Sequence, residues 1–144
     1  MTLAQAAEAT KDFDRADRYL KACNGRAAAG CTALGILYNR GRGVSRDAVQ
    51  AAVYYERGCV LGDMAGCNNL GTVYQFGSIG FRDSAKAVGL YERACSNGHV
   101  DGCANLRLLV LTSPGITPEE KKRARQLLEK ACAAGIARAC GQVG

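Results

Sequence analysis

Apolar and polar positions alternate along this chain in two helical registers that return every 36 or 37 residues. The first register reads RADRYLKAC (15–23), AAVYYERGC (51–59), AVGLYERAC (87–95) and ARQLLEKAC (124–132). Small residues, large apolar residues, a charged pair (a single lysine in the first copy), a small residue and a cysteine recur. The second register opens on another cysteine and reads CTALGILY (31–38), CNNLGTVY (67–74) and CANLRLLV (103–110). Its large residues stand three and seven positions after the cysteine, with a small residue at four in the first two copies. Residues at these spacings share one face of a helix. Polar connectors such as LGDMAG (61–66) and SNGHVDG (96–102) separate the registers, so each repeat predicts two antiparallel helices.

Turn chemistry agrees. GRGVSRD (41–47) and GSIGFRD (77–83) are glycine-rich, as chain reversals require. Thr117, Pro118 and Glu120 supply an N-cap, a first-turn proline and a capping-box acid for the last long helix. Asn97-Gly98 and Gly135 fall where helices should stop. No strand pattern occurs. About nine helices are expected, stacked in one dimension as an all-α solenoid. The expected organisation is a single domain, 1–144, with units 31–66, 67–102 and 103–139 between partial units at 1–30 and 140–144.

The cysteines sharpen this picture. Cys23 and Cys31, Cys59 and Cys67, Cys95 and Cys103, and Cys132 and Cys140 are each eight residues apart. In every pair the first lies at the end of one predicted helix and the second at the start of the next. An antiparallel pair brings those ends to a Cα separation near 5–6 Å, within disulfide range. Each short loop so closed adds roughly 2.5 kcal/mol in chain-entropy terms. A zinc site is disfavoured, because there is no C-x₂-C spacing and His99 is the single histidine. Reduced, buried thiols are the remaining alternative. Bridged pairs imply an oxidising compartment, periplasmic or extracellular.

Bulk properties exclude more than they identify. With 144 residues and 48% apolar content the chain suits one globular domain. Its most apolar run, Leu106 to Leu111, is too short to span a membrane. The start, MTLAQAAEATKDF, has no basic segment followed by an apolar one, so any leader is expected to lie outside this sequence. The net charge is +6, with basic density at Arg40, Arg42 and Arg46 and at Lys121, Lys122, Arg123 and Arg125. These clusters have no interleaved aromatic residues, so no nucleic-acid partner is expected.

The segments quoted above resemble the Sel-one-like repeat (SLR) family. The resemblance is carried by Ala51, Tyr54, Tyr55, Leu34, Gly35, Tyr38, Gly41, Gly43, Val44 and Asp47, and again by Leu70, Gly71, Tyr74 and Asp83. Cysteines at the paired small positions resemble the cysteine-rich bacterial subfamily, in which such pairs are bridged. The resemblance runs from about residue 12 to 142. Departures occur in the third copy, where Arg107 replaces the small residue, Val110 replaces tyrosine and TSPGITP (112–118) replaces the glycine loop. The first unit lacks an obvious first helix and the last lacks a full one. The resemblance implies a right-handed superhelix of helix pairs that binds other molecules. It also implies export, with some members penicillin-binding or weakly β-lactamase-like, and others partners or neutralisers of secreted effectors.

No catalytic constellation is legible. Ser84-Ala85-Lys86 has the wrong spacing for S-x-x-K. His99 sits in a connector beside Asp101, where a dyad with Ser96 is conceivable, and Asp12, Asp14 and Asp17 read as a solvated helix start. No cofactor and no metal are expected. The leading expectation is therefore a non-enzymatic scaffold, a monomer, that binds a protein or peptide ligand. A cell-wall-associated hydrolase and a mitochondrial intermembrane-space assembly factor are the alternatives. On the second helix of each repeat, the offsets two, five and nine from the cysteine face away from the packing face. They predict a contact surface on the concave side of the solenoid, made of Ala33, Ile36 and Arg40, then Asn69, Thr72 and Phe76, then Asn105 and Leu108. Some of these, Ile36 and Leu108 above all, could instead pack against a neighbouring repeat.

Overall fold

The computed structural model describes residues 1–141. Seven α-helices follow in order: α1 (Leu3–Asn24), α2 (Ala28–Arg40), α3 (Ala48–Val60), α4 (Met64–Phe76), α5 (Ser84–Ser96), α6 (Val100–Thr112) and α7 (Pro118–Ala133). A 3₁₀ turn at Ala137–Ala139 follows them, and no strand occurs among the described residues. In place of the expected nine helices, the described residues form seven and a short turn. Of the partial unit anticipated at 140–144, residues 142–144 lie outside the described residues. The chain divides into two compact units, Met1–Gly66 and Cys67–Gly144.

In the first unit, α1 runs for 22 residues. This corrects the expectation that the first unit lacks a first helix. Its start is closed by a capping box between Thr2 and Gln5. Asp12 therefore lies in mid-helix, and it is buried rather than solvated at a helix start. The Arg42 guanidinium holds it, donating from Nε to Oδ2 at 3.1 Å and from Nη2 to Oδ1 at 3.2 Å. Arg15 stands 3.6 Å away on the same helix. The glycine loop that carries Arg42 thus docks on α1. Gly43, at φ +74°, makes that approach possible, because a Cβ there would lie 2.2 Å from the Asp12 carbonyl oxygen. The small core of this unit comprises Ala16, Leu34 and Leu37, with Tyr19, Leu20, Tyr38, Val44 and Tyr54 packed against it. Tyr38 and Tyr54 stack at 5.6 Å.

In the second unit, α5, α6 and α7 pack on one another around Val88, Tyr91, Leu106, Leu109, Ile116, Ala124 and Leu128. The small residue at offset four has a specific cause here. A Cβ on Gly71 would lie 2.5 Å from Cε1 of Tyr91, so only a bare Cα lets the ring seat there. The first unit repeats the relation, since a Cβ on Gly35 would lie 2.6 Å from Cδ1 of Tyr55. The third copy changes both members together: Arg107 stands at the glycine register and Leu128 at the tyrosine register. At Arg107 the departure from the pattern is thus matched by loss of the ring that required glycine. Arg123 of α7 donates two hydrogen bonds to Glu92 of α5, at 2.7 and 2.8 Å. Arg138 ties the C-terminal turn to Asp101 of α6.

The bridges form where expected. Cys23–Cys31 and Cys95–Cys103 have Cα separations of 4.5 Å, and Cys132–Cys140 of 4.9 Å. These are shorter than 5–6 Å but within disulfide range, because the helix ends meet directly across a tight turn. Cys59 and Cys67 are disulfide-bonded as well, and no described cysteine is free.

Candidate functional site

The second helix of each repeat is buried on a broader front than its heptad-like spacing predicts. On α2, Cys31, Thr32, Leu34, Gly35 and Leu37 are all buried. On α6, Gly102, Cys103, Leu106, Leu109 and Val110 are buried. What remains open on each of these helices is a narrow stripe, and the predicted contact residues of that helix are half-buried or exposed. Ala33 and Ile36 are half-buried and Arg40 is exposed in the last turn of α2. Burial pushes the Tyr55 phenol above its ordinary value, and the Arg40 guanidinium acts against that rise.

In the second unit, Asn69 and Thr72 are half-buried on α4, whereas Phe76 is 63% exposed at its C-terminal end. The Thr72 hydroxyl donates to the Asn69 carbonyl at 2.7 Å, so it is already engaged within its own helix. Asn105 donates from Nδ2 to Oδ1 of Asn68 at 2.9 Å. It therefore links α6 to α4 and is partly spent on that link, while Leu108 is 53% exposed. Asn68 is a buried polar residue that the offset argument leaves out. Its signal was available, since a polar residue one position after a buried cysteine needs a partner. The structure adds Leu111, 46% exposed, one turn beyond Leu108 on the same helix.

The candidate catalytic groups do not assemble. The Ser96 hydroxyl donates to the Arg93 carbonyl at 3.0 Å, which uses its one proton away from His99. Ser84 Oγ lies 3.2 Å from Ser113 Oγ, and the Lys86 ammonium lies 4.9 Å from the centre of the Tyr74 ring. Among the described residues no group of three or more His, Cys, Asp or Glu side chains is placed to hold a metal ion. No described helix is long and apolar enough to cross a membrane.

The Sel1 repeat model matches three segments, residues 28–63, 65–99 and 109–136, which together exceed half of the chain. The chain belongs to the Sel1 repeat family. Sel1 repeats generally serve as protein–protein interaction scaffolds. Among solved structures, cysteine-rich protein B of Helicobacter pylori is 32% identical, with a TM-score of 0.62 over 91% of this chain and 94% of that one. A Sel1 repeat protein from Oxalobacter formigenes is 28% identical, with a TM-score of 0.68 over 83% of this chain and 49% of that one. A protective antigen of uropathogenic Escherichia coli strains, displaying an SLR fold, is 24% identical, with a TM-score of 0.74 over 89% of this chain. This chain spans 27% of that protein, so the likeness is one of fold. A comparison with curated protein sequences finds no match. The expected all-α fold of disulfide-stapled helix pairs is thus the fold of this Sel1 repeat chain.

Proposed function

We propose that this Sel1 repeat chain is a non-enzymatic scaffold that binds a protein or peptide partner in an oxidising compartment, periplasmic or extracellular. In the first unit the contact residues are Ala33, Ile36 and Arg40 on α2; in the second they are Asn69, Thr72 and Phe76 on α4, with Asn105 and Leu108 on α6. The observation that carries the reading is the exposure of Phe76 and Leu108, large apolar side chains on helices whose other large apolar residues are mostly buried. Exposed aromatic and aliphatic groups among amides and an arginine have the composition of a protein-binding surface. The absence of free thiols among the described cysteines supports the compartment. A neutralising partner of a secreted effector is one form this function takes.

The test uses the oxidised chain as bait in an extract of that compartment from the source cells. Wild type should recover one polypeptide in stoichiometric amount. Phe76→Ala combined with Leu108→Asp should fold, by its helical circular dichroism, and lose that polypeptide. Equal recovery by the variant contradicts the assignment. Nitrocefin turnover that disappears with a point mutation would favour the hydrolase alternative instead.

A further inference from the structure

Four tight turns follow the first cysteine of each pair, three leading to a second helix and the last to the 3₁₀ turn, and all four have the same hydrogen bonds. The amide three positions after the first cysteine donates to the cysteine carbonyl, from Arg26, Gly62, Gly98 and Gly135. The next amide reaches back to the residue before the cysteine, at 2.9 Å for Ala27 to Ala22 and 2.8 Å for Asp63 to Gly58. The turn requires left-handed backbone at that third position. Gly62, Gly98 and Gly135 adopt it at φ +103°, +84° and +100°. In the first turn the residue there is Arg26, at φ +68°.

This is the only described non-glycine residue with positive φ. A glycine stands one position too early to relieve it: Gly25 has φ −81°, where the other turns use Leu61, Asn97 and Ala134 at −79°, −99° and −80°. Arg26 thus holds a conformation that strains any residue with a Cβ. Strain retained where glycine serves three other copies points to a use for the side chain.

That side chain borders a groove of about 540 Å³ between the C-terminal end of α1 and the outer face of α3. The groove is lined in part by Val53, Glu56, Arg57, Val60 and Leu61. On α3, Val49, Val53, Glu56 and Val60 share one helical stripe, and the three valines are 59%, 39% and 68% exposed. The same stripe reads Ala85, Gly89, Glu92 and Ser96 on α5, and Lys122, Gln126, Glu129 and Ala133 on α7. Only the copy next to Arg26 is aliphatic throughout apart from its glutamate. Arg57 lies 5.1 Å from the centre of the Tyr54 ring, which steadies it at the groove. The groove is thus lined by two arginines and one glutamate beside an aliphatic floor.

We propose that this groove is a second binding site and that it takes an acidic–aliphatic peptide segment of a protein partner. An aliphatic side chain of the ligand lies on Val53, Val60 and Leu61. A neighbouring carboxylate of the ligand accepts from Arg26, with Arg57 adding to the attraction. Glu56 remains to accept a ligand N–H. A basic peptide is repelled by the two guanidinium groups. The site uses none of the contact residues proposed on α2, α4 and α6 and stands or falls independently of them.

The test is selection of a phage-displayed library of short random peptides on the oxidised full chain. Recovered sequences should enrich Asp or Glu next to Leu, Ile or Val. A synthetic peptide of the recovered sequence should bind Arg26→Gly and Arg26→Ala on the order of tenfold more weakly, by fluorescence anisotropy. Arg26→Gly removes the strain, so its melting temperature should equal or exceed that of wild type, and a loss of binding cannot be assigned to misfolding. Val53→Asp should weaken the same peptide, and Phe76→Ala should leave it unchanged. Recovery of no sequences or of basic ones, or of acidic ones whose affinity ignores Arg26, overturns the proposal. Sensitivity to Phe76→Ala with indifference to Arg26→Gly also overturns it, and leaves the α4 face as the site.

Discussion

Arg42 and Asp12 are joined by two hydrogen bonds across 30 positions of sequence, and they fasten the first glycine loop to the middle of α1. The carboxylate is buried and the guanidinium is partly open to solvent. Truncating the arginine leaves a buried charge with only Arg15 nearby, whereas truncating both leaves none. Arg42→Ala should lower unfolding stability by about 1–2 kcal/mol, the solvent exposure of the arginine moderating the loss. Asp12→Ala with Arg42→Ala should lower it by less than the sum of the single changes. Urea unfolding followed by circular dichroism measures the cycle, and simple additivity would contradict the coupling.

The close seat of Tyr91 on Gly71 makes a sharper prediction. Gly71→Ala should cost about 1–3 kcal/mol by overpacking, although alanine favours helix more than glycine does. Tyr91→Leu removes the ring and reproduces the residue type at Leu128, where the third copy tolerates Arg107. The double variant Gly71→Ala with Tyr91→Leu should therefore be more stable than the summed single losses predict. Thermal melts of the four proteins decide this, and an additive result would mean that the ring does not set the size of residue 71.

Alkaline pH should weaken the fold in a defined direction. Burial raises the phenol of Tyr91, and also that of Tyr55, above the ordinary value of 10.0. Below that pH both phenols are neutral, folded or unfolded, and contribute no slope. Above it the unfolded chain ionises first, the native state holds more protons, and stability falls as pH rises. Each phenol contributes up to about 1.4 kcal/mol per pH unit in that window. Chemical denaturation between pH 8 and 11 should have this slope, and Tyr91→Phe should reduce it (the pH limits are roughly those of phenol titration). An unchanged slope in the variant would contradict the burial of Tyr91.

The bridges should not be equally resistant to reductant. Cys23, Cys31, Cys59, Cys67, Cys95 and Cys103 are each 5% exposed or less. Cys132 and Cys140 are half-buried and flank a 3₁₀ turn rather than a full second helix. Access governs thiol–disulfide exchange, so this bridge should open first. Graded reduction with dithiothreitol, alkylation and peptide mapping should label Cys132 and Cys140 before any other pair. Earlier labelling of Cys31 or Cys103 would contradict the order.

Much of this was legible in the sequence, for physical reasons that also explain the gaps. The cysteine spacing and the small residues at Gly35 and Gly71 report local constraints, a turn and a ring contact that recur at fixed offsets. The first helix was obscured because α1 carries no repeat pattern over its opening residues, and its cap, Thr2 with Gln5, precedes a polar stretch. Asp12 was misread for the same reason: with the helix start displaced, a buried acid looks like a first-turn acid, and its partner Arg42 is distant in sequence. The link between Asn105 and Asn68 needs the stacking of α4 and α6, which no single-helix offset contains. Arg26, by contrast, stood in plain register with Gly62, Gly98 and Gly135, and needed only the comparison of four turns.

Everything proposed for this Sel1 repeat chain rests on sulfur bridges that fix each helix pair. The most direct measurement is peptide mapping by mass spectrometry of unreduced protein isolated from its native compartment. The account predicts bridges within the pairs 23–31, 59–67, 95–103 and 132–140, with no cysteine open to alkylation. Free thiols in folded native protein, or bridges between different pairs, would contradict it.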